Sequence, residues 1–490
     1  MKKQTIALTA AAAALAGVNA VRAAMYKPEK ISKEPYAEEK IDLERYKTHL
    51  SEAIRIPTIA SKTFEEMNWE PFDEFHAFLR KSYPLIHEKL TLEEPVRGSL
   101  LYRWKGKRDD LDPIALLSHQ DVVPISEGTW DDWTYPPFSG EDDGEFIWGR
   151  GALDMKNHLI AVMESVEALL EEGFEPERDV YICLGHNEEV MSSEYSGAIV
   201  MCNYFAEKGI HLDCVIDEGG AILPLSIKGV IDAQLAGIGV AEKGYADFEV
   251  SVNAKGGHSS QPPKHSAIGE LAKVIQDIEN HQFKAKLSPM MMELFDDVGR
   301  RMSYPLRLVM CNLPLLKPAI TKVMTLIPPA ASMVRTTTGV TMASGSPAPN
   351  VLPQKATVNV NFRMYPGQTV EDVEQHLKKV IRNKNAEIVC MPGWKNPSKI
   401  SPTDSRCFNA LREICSRMNP KSIVAPYLVM GGTDACHYEA VCDNIYRYSP
   451  FLVDVNLLLC THGTNERIPI SSLSEGLRFF KIYIRTLSAE

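Results

Sequence analysis

"DVYICLGHNEEV", residues 179–190, is an apolar run closed by a glycine, a histidine and two adjacent carboxylates. Val180, Tyr181, Ile182, Cys183 and Leu184 read as a buried strand. Neighbouring side chains on an extended chain face opposite ways, so Glu188 and Glu189 would look in different directions. One of them would then meet a low-dielectric surround that disfavours its charge. Upstream, "PIALLSH" (113–119) is a second such strand, followed by the helically spaced "HLIAVMESVEALLEEG" (158–173), which Gly173 ends. Downstream come "SGAIVMCNYFAEKG" (196–209) and "LDCVIDEGG" (212–220). Strands alternating with helices predict an α/β domain with a mixed, mostly parallel sheet and helices on both faces. Ligands of such sheets gather at the carboxyl ends of the strands.

The pattern changes near Gly237. "YADFEVSVNAKGG" (245–257) and "KATVNVNFRMYPG" (355–367) alternate with period two, as antiparallel strands with one wet face do. Helical spacing resumes in "TVEDVEQHLKKVIRNK" (369–384) and "DSRCFNALREICSRM" (404–418). The expected layout is a leader over 1–24, a catalytic domain in two parts over 25–236 and 367–490, and an inserted α+β domain over 237–366. Leu306 to Ala331 is a long apolar segment, but Lys317, Lys322 and several prolines exclude a transmembrane helix. It reads as packing of the inserted domain or its dimer seam, with the lining of an acyl pocket as the alternative.

A chain of 490 residues is long enough for two domains, and 24% charged residues suit a soluble globular protein. The net charge of −11 argues against nucleic acid or an anionic membrane as the main partner. "MKKQTIALTAAAAALAGVNAVRAA" has a basic start, an apolar stretch and two possible cleavage boxes, and reads as an export signal or an uncleaved anchor. The ten cysteines stand singly, in neither a disulfide framework nor a zinc-binding pair, which points instead to a reducing compartment. Localisation is left between secreted, membrane-anchored or periplasmic on one side and cytoplasmic on the other.

Four successive strand ends carry ligand-type residues: His119 and Asp121 in "LLSHQDVVP", Asp154 in "WGRGALDMKNH", Glu188 and Glu189, and Asp217 and Glu218 in "VIDEGG". His462 closes another apolar run in "LLLCTHGTNE". Singly, each has a plain explanation: a hydrogen-bonded histidine, a helix cap, a surface charge. Together they would converge on one crevice, where so many carboxylates are tolerable only beside cations. Imidazole and carboxylate without cysteine suit zinc, with cobalt or manganese as substitutes. One glutamate would then bind metal while the other moves protons, and Asp121 would orient His119.

The order His-x-Asp, Gly-Arg-Gly-x-x-Asp-Met-Lys, Glu-Glu, Asp and a late His resembles the di-zinc metallopeptidases that include aminoacylase, carboxypeptidase S and glutamate carboxypeptidase. "GRGALDMK" and "GGTDA" are most similar to the carboxypeptidase S branch. The resemblance implies that Asp154 bridges two Zn²⁺ ions, that His119 and Asp217 complete one site, and that Glu189 and His462 complete the other. It implies Glu188 as general base and a ferredoxin-like lid that also forms a homodimer. From that lid His258 in "AKGGHSSQPP" would stabilise the oxyanion, often in the partner's site. Asn350 and Arg363 would clamp the substrate, and the loop Gly431, Gly432 and Thr433 would hold its free carboxylate. The sequence departs from the family at Asn187, where many relatives carry Asp, at Asn157 in place of a common Gly, and at "MSSEYSGA". The activity implied is hydrolysis of a peptide or N-acyl amide bond next to a carboxylate, in a dipeptide, peptide or N-acyl amino acid. An inert binding relative and a periplasmic solute-binding protein are the readings from other classes.

Overall fold

The computed structural model describes residues 16–28, 34–190 and 195–489. The expected leader up to residue 15 and the "MSSE" of the altered loop lie outside the described residues. The chain first lays down β1 (Thr91–Val96), β2 (Ser99–Trp104), β3 (Ile114–His119), β4 (Val180–Gly185), β5 (Cys214–Asp217), β6 (Ile222–Ile227) and β7 (Ile231–Glu242). Six strands of a second unit follow: β8 (Gly244–Asn253), β9 (Gly257–His258), β10 (Thr337–Ser344), β11 (Val351–Leu352), β12 (Lys355–Met364) and β13 (Ala386–Cys390). It then returns with β14 (Ser422–Val429) and β15 (Ile445–Arg447).

The large sheet has the order β1-β2-β4-β3-β5-β15-β7-β14, with β6 on the side of β7. Its centre is parallel, β3 against both β4 and β5, as the buried runs predict. Every residue of β3 and β4 is buried, because helices cover both faces. The helix Lys156–Glu171 is buried along almost its whole length and packs on the C-terminal helix Ile470–Leu487. In this register His119 stands opposite Gly185. The strand that ends in a histidine therefore delivers it beside the turn that carries the two glutamates.

The second sheet has the order β10-β12-β8-β13, all antiparallel, with its own apolar core. Read as β-α-β-β-α-β, with helices Ala267–Asn280 and Val370–Val380, this is the ferredoxin-like arrangement. Its extent differs from the expected 237–366. β7 runs to Glu242 inside the large sheet, and the unit closes only at β13, since both Val370–Val380 and Ala386–Cys390 belong to it. The amphipathic spacing of residues 369–384 identified a helix but not the sheet that it covers.

Leu306 to Ala331 forms three short helices, Tyr304–Met310, Leu313–Met324 and Pro328–Ser332, each opening on proline at its first or second position. They follow Pro289–Arg301, which packs on β14 of the large sheet. Only Leu313, Met324 and Ala331 of the three helices are buried. Ile320 and Ala330 pack partly against the main core, while Val309, Leu315, Val323, Leu326 and Ile327 are exposed.

Candidate active site

β4 ends at Gly185, so Glu188 and Glu189 lie in a turn and escape the alternation of the strand. Both backbone N–H groups of that turn donate to one carboxylate, Asp121, at 3.1 and 3.0 Å. Asp121 is fully buried, and its carbonyl oxygen lies 3.0 Å from Nδ1 of His119. Its backbone carbonyl thus lies against the imidazole, while its carboxylate holds the glutamate pair in place.

His119 is buried, with Nε2 at 3.1 Å from Asp154 Oδ1 and 3.1 Å from Glu218 Oε1. The second oxygen of Asp154, Oδ2, lies 3.0 Å from Nε2 of His462, which also lies 3.0 Å from Glu189 Oε2. Asp154 thus divides its two oxygens between two imidazoles. Ligand atoms of His119, Glu188 and Glu218 lie within 4.8 Å of one another, and so do those of His119, Asp154 and Glu189. His462 occupies a left-handed backbone conformation at φ 60, which a non-glycine residue adopts only when its surroundings impose it.

Asp217, expected beside His119, is turned away. Its carboxylate accepts the backbone N–H of Glu218 and of Ala435, each at 2.8 Å, and so ties the end of β5 to the "GGTDA" loop. Glu218, one residue on, faces His119 instead. The sequence offered both carboxylates; the backbone amides within reach of Asp217 decide between them.

Glu466 is a fully buried carboxylate that the sequence reading passed over. One oxygen accepts the N–H groups of Gly151, Leu153 and Asp154 at 3.0, 2.8 and 3.1 Å, and the other pairs with Arg150 at 2.5 Å. Gly151 has φ +90, and a Cβ there would come within 2.9 Å of Val122, so only glycine lets the loop pass. The spacing of Glu466, four residues after His462, was the available signal. Asn187, where many relatives carry Asp, donates to Tyr195 O at 3.1 Å and accepts from Gly197 N at 3.0 Å. An aspartate could make only the second bond.

Burial drives the electrostatics. It pushes Glu188 well above the usual carboxylate range, and Glu218, Asp434 and Glu189 add to the push against the field of His119. Glu218 is raised in the same way, by burial and then by Asp154. Burial would also raise Asp154, but hydrogen bonds from the two imidazoles outweigh it and hold the group far below its ordinary value. His462 is pushed up to about 10, first by its hydrogen bond to Asp154 and then by that to Glu189. Two imidazoles and four carboxylates share one crevice. This donor set, all nitrogen and oxygen, fits two divalent cations.

The residues predicted to handle substrate are spread out. Thr433 donates its N–H and hydroxyl to the buried Glu242 at 3.1 and 2.7 Å, which holds the exposed Gly431–Gly432 backbone beside the crevice. Glu242 also meets Arg447 at 2.7 Å and Lys395 at 3.5 Å. A Cβ on Gly432 would lie 3.3 Å from the Lys395 ammonium, so this lysine, unnoticed in the sequence, borders the loop. His258 is exposed on β9, bonded to Ser260 at 2.8 Å and next to Asn350, whose carbonyl accepts the N–H of Ser259. Arg363 lies 4.8 Å over the ring of Tyr245. None of His258, Asn350 and Arg363 has a described contact with the carboxylate cluster.

Beside the cluster opens a cavity of about 520 Å³. Asp154 and Glu218 form its polar end, and Leu223, Leu294, Met333, Phe451 and Leu458 are among its apolar walls.

Residues 115–486 match the model of peptidase family M20/M25/M40. The chain belongs to this family. It is a hydrolase of peptide or amide bonds, and the family binds metal in dinuclear sites. A probable carboxypeptidase S-like protein 2 of Dictyostelium discoideum is 36% identical over 434 residues, covering 88% of this chain and 83% of the relative. The N-fatty-acyl-amino acid synthase/hydrolase PM20D1 of Xenopus tropicalis is 34% identical over 435 residues, with 88% and 83% covered. Among solved structures, an M20 family metallo-carboxypeptidase, Sso-CP2 of Sulfolobus solfataricus, superposes with a TM-score of 0.64 at 20% identity, covering 90% of this chain and 99% of that one. The expected family, the fold class and the class of reaction are therefore shown.

Proposed function

We propose that this protein is a two-zinc hydrolase that removes an apolar acyl group from the amino group of an amino acid or short peptide. The observation that carries the choice of acyl group is the largely apolar cavity whose polar end is Asp154 and Glu218. A carbonyl held at the cluster would leave its acyl chain nowhere more favourable than that cavity, since each buried CH₂ contributes about 0.8 kcal/mol. PM20D1, named for N-fatty-acyl amino acids, is among the similar proteins and supports the reading. The carboxypeptidase S-like relative supports a second one, in which the same cavity takes an apolar peptide residue.

His119, Asp154 and Glu218 would hold one cation, and His462, Asp154 and Glu189 the other. Bound there, the ions supply Lewis acidity, which polarises a carbonyl and makes water easier to deprotonate. Glu188, half-buried and with no described hydrogen bond to either imidazole, would take the proton of the attacking water and pass it to the leaving amine. Asp121 would keep Glu188 in place through its backbone. Lys395, beside Gly432, would meet the substrate's carboxylate. His258 and Asn350 sit together on the second unit and would serve the site of a partner subunit in a homodimer.

The test is a panel of N-acetyl and N-palmitoyl amino acids and of dipeptides, offered to zinc-loaded protein. Faster hydrolysis with increasing acyl length supports the proposal. A preference for dipeptides over every N-acyl amino acid assigns the cavity to peptide side chains instead.

A further inference from the structure

Residues 16–25 are helical and lie against the first of the three short helices, Tyr304–Met310, and the turn Cys311–Asn312 that leads into the second. Ala23 is fully buried there. Asn19 accepts from Asn312 at 2.6 Å, Arg22 donates to Cys311 O at 2.8 Å, and Tyr26 donates to Asp296 O at 2.9 Å. The two segments thus pack together and carry several exposed apolar side chains. Leu315 is 79% exposed, Met25 77% and Leu326 75%, with Val21, Val323 and Ile327 also exposed. Exposed apolar side chains gathered on one face mark an interaction site.

Charge separates the possible occupants. Residues 16–28 and 302–334 contain five lysines and arginines and no aspartate or glutamate, in a chain of net charge −11. The whole-chain charge that argued against an anionic surface therefore conceals a locally basic one, bordered by Asp296, which is paired with Arg300. A second copy of this acidic protein would gain little from it, whereas an anionic lipid surface would gain from both the lysines and the leucines. No described helix is long and apolar enough to cross a membrane, so these short helices would lie on it. Behind the face, Leu294 and Met333, on the helix before it and directly after it, line the cavity beside the metal ligands.

We propose that this face docks on anionic phospholipid and sets the apolar cavity at the lipid–water boundary. The docking stands on the face alone; its use in delivering substrate rests on the acyl reading above. The experiment is co-sedimentation of the full chain with vesicles of phosphatidylcholine, with and without phosphatidylglycerol. The mixed vesicles should bind the protein and the neutral ones bind it more weakly. Lys317→Ala with Lys322→Ala should lower partition roughly 30-fold, at about a few-fold or more per basic residue. Leu315→Glu with Leu326→Glu should lower it at least roughly 10-fold. Both pairs are on the surface, so hydrolysis of a short, soluble N-acyl substrate should not change, which verifies folding. Wild-type partition by both variants, or no binding by the wild type, overturns the docking. Loss of a dimer in Leu315→Glu with Leu326→Glu, without vesicle binding by the wild type, assigns the face to a second copy and also overturns it. Vesicle binding lost in both variants, with no N-acyl substrate hydrolysed, supports the docking and sinks the acyl reading.

Discussion

Glu188 and Glu189 are adjacent in sequence, alike in chemistry and different in role because of what each one faces. Glu189 pairs with His462 at 3.0 Å; Glu188 has no described hydrogen bond to an imidazole, and burial keeps its proton affinity high. Glu188→Gln keeps the shape and removes the base. Turnover should fall by about 10²–10⁴-fold while the metal content by atomic spectroscopy stays at wild type. A variant that loses metal together with activity would make Glu188 a ligand and not the base. The pair at the end of β5 can be read the same way. Glu218→Ala should reduce bound metal from two ions toward one, because Glu218 and not Asp217 faces His119. Asp217→Asn can accept only one of the two amides, since that of Glu218 meets Oδ1 and that of Ala435 meets Oδ2, so it should loosen the end of β5 yet retain both ions. The reverse result would restore the ligand set implied by the family resemblance. That Asp and Glu stand together was legible in the sequence. Which one turns inward was not, since the amide of Ala435 lies far along the chain.

At the scale of elements, two contacts between distant segments decide geometry and stability. The loop before the helix Lys156–Glu171 is held by Glu466, which receives three of its amides and the Arg150 guanidinium. Glu466→Ala leaves a buried arginine without its anion, at a cost of about 3–5 kcal/mol in chemical denaturation. Glu466→Gln retains the shape and the acceptor oxygen, and it should weaken metal binding more than it lowers stability. A full loss of fold in both variants would make the contact purely structural. Elsewhere, Asp297 lies on the helix Pro289–Arg301 against Arg412, 3.6 Å away on Arg406–Met418. Burial, opposed by that arginine, raises its pKa from 3.8 to about 6. Between these values the folded state holds a proton that the unfolded state has released, so stability falls as pH rises through the window. The full cost is present above pH 6 and absent below about pH 4. Asp297→Asn should thus be more stable at neutral pH, by up to about 3 kcal/mol, and equal to the wild type near pH 4. A pH-independent difference would refute the titration. The helices of this region were legible from their spacing. Their partners were not, because periodicity identifies the face of a helix and not the surface it covers. For the same reason the second unit's last helix and strand were assigned to the catalytic domain.

At the scale of the whole molecule, the large sheet brings together side chains as far apart in sequence as His119 and His462, and the two imidazoles face more carboxylates than they can balance. Besides His119 and His462, no cation is within hydrogen-bond distance of Asp154 or Glu189 among the described residues. The apo protein must then keep four carboxylates beside two imidazoles in a half-buried crevice, which either protonates them or opens the crevice. Two cations remove that choice, and their binding free energy becomes folding free energy. Chelation should therefore lower the midpoint of thermal unfolding as well as abolish activity. Metal present at a thousand times its dissociation constant contributes about 4 kcal/mol per site. The shift should be largest near neutral pH and shrink in acid, where protons compete for the carboxylates and imidazoles that the metal needs free. Differential scanning calorimetry of chelated and zinc-loaded protein across that range decides the matter. Coincident midpoints at neutral pH would mean that the crowded carboxylates are at rest without metal, and the dinuclear assignment of this pocket would fail with them.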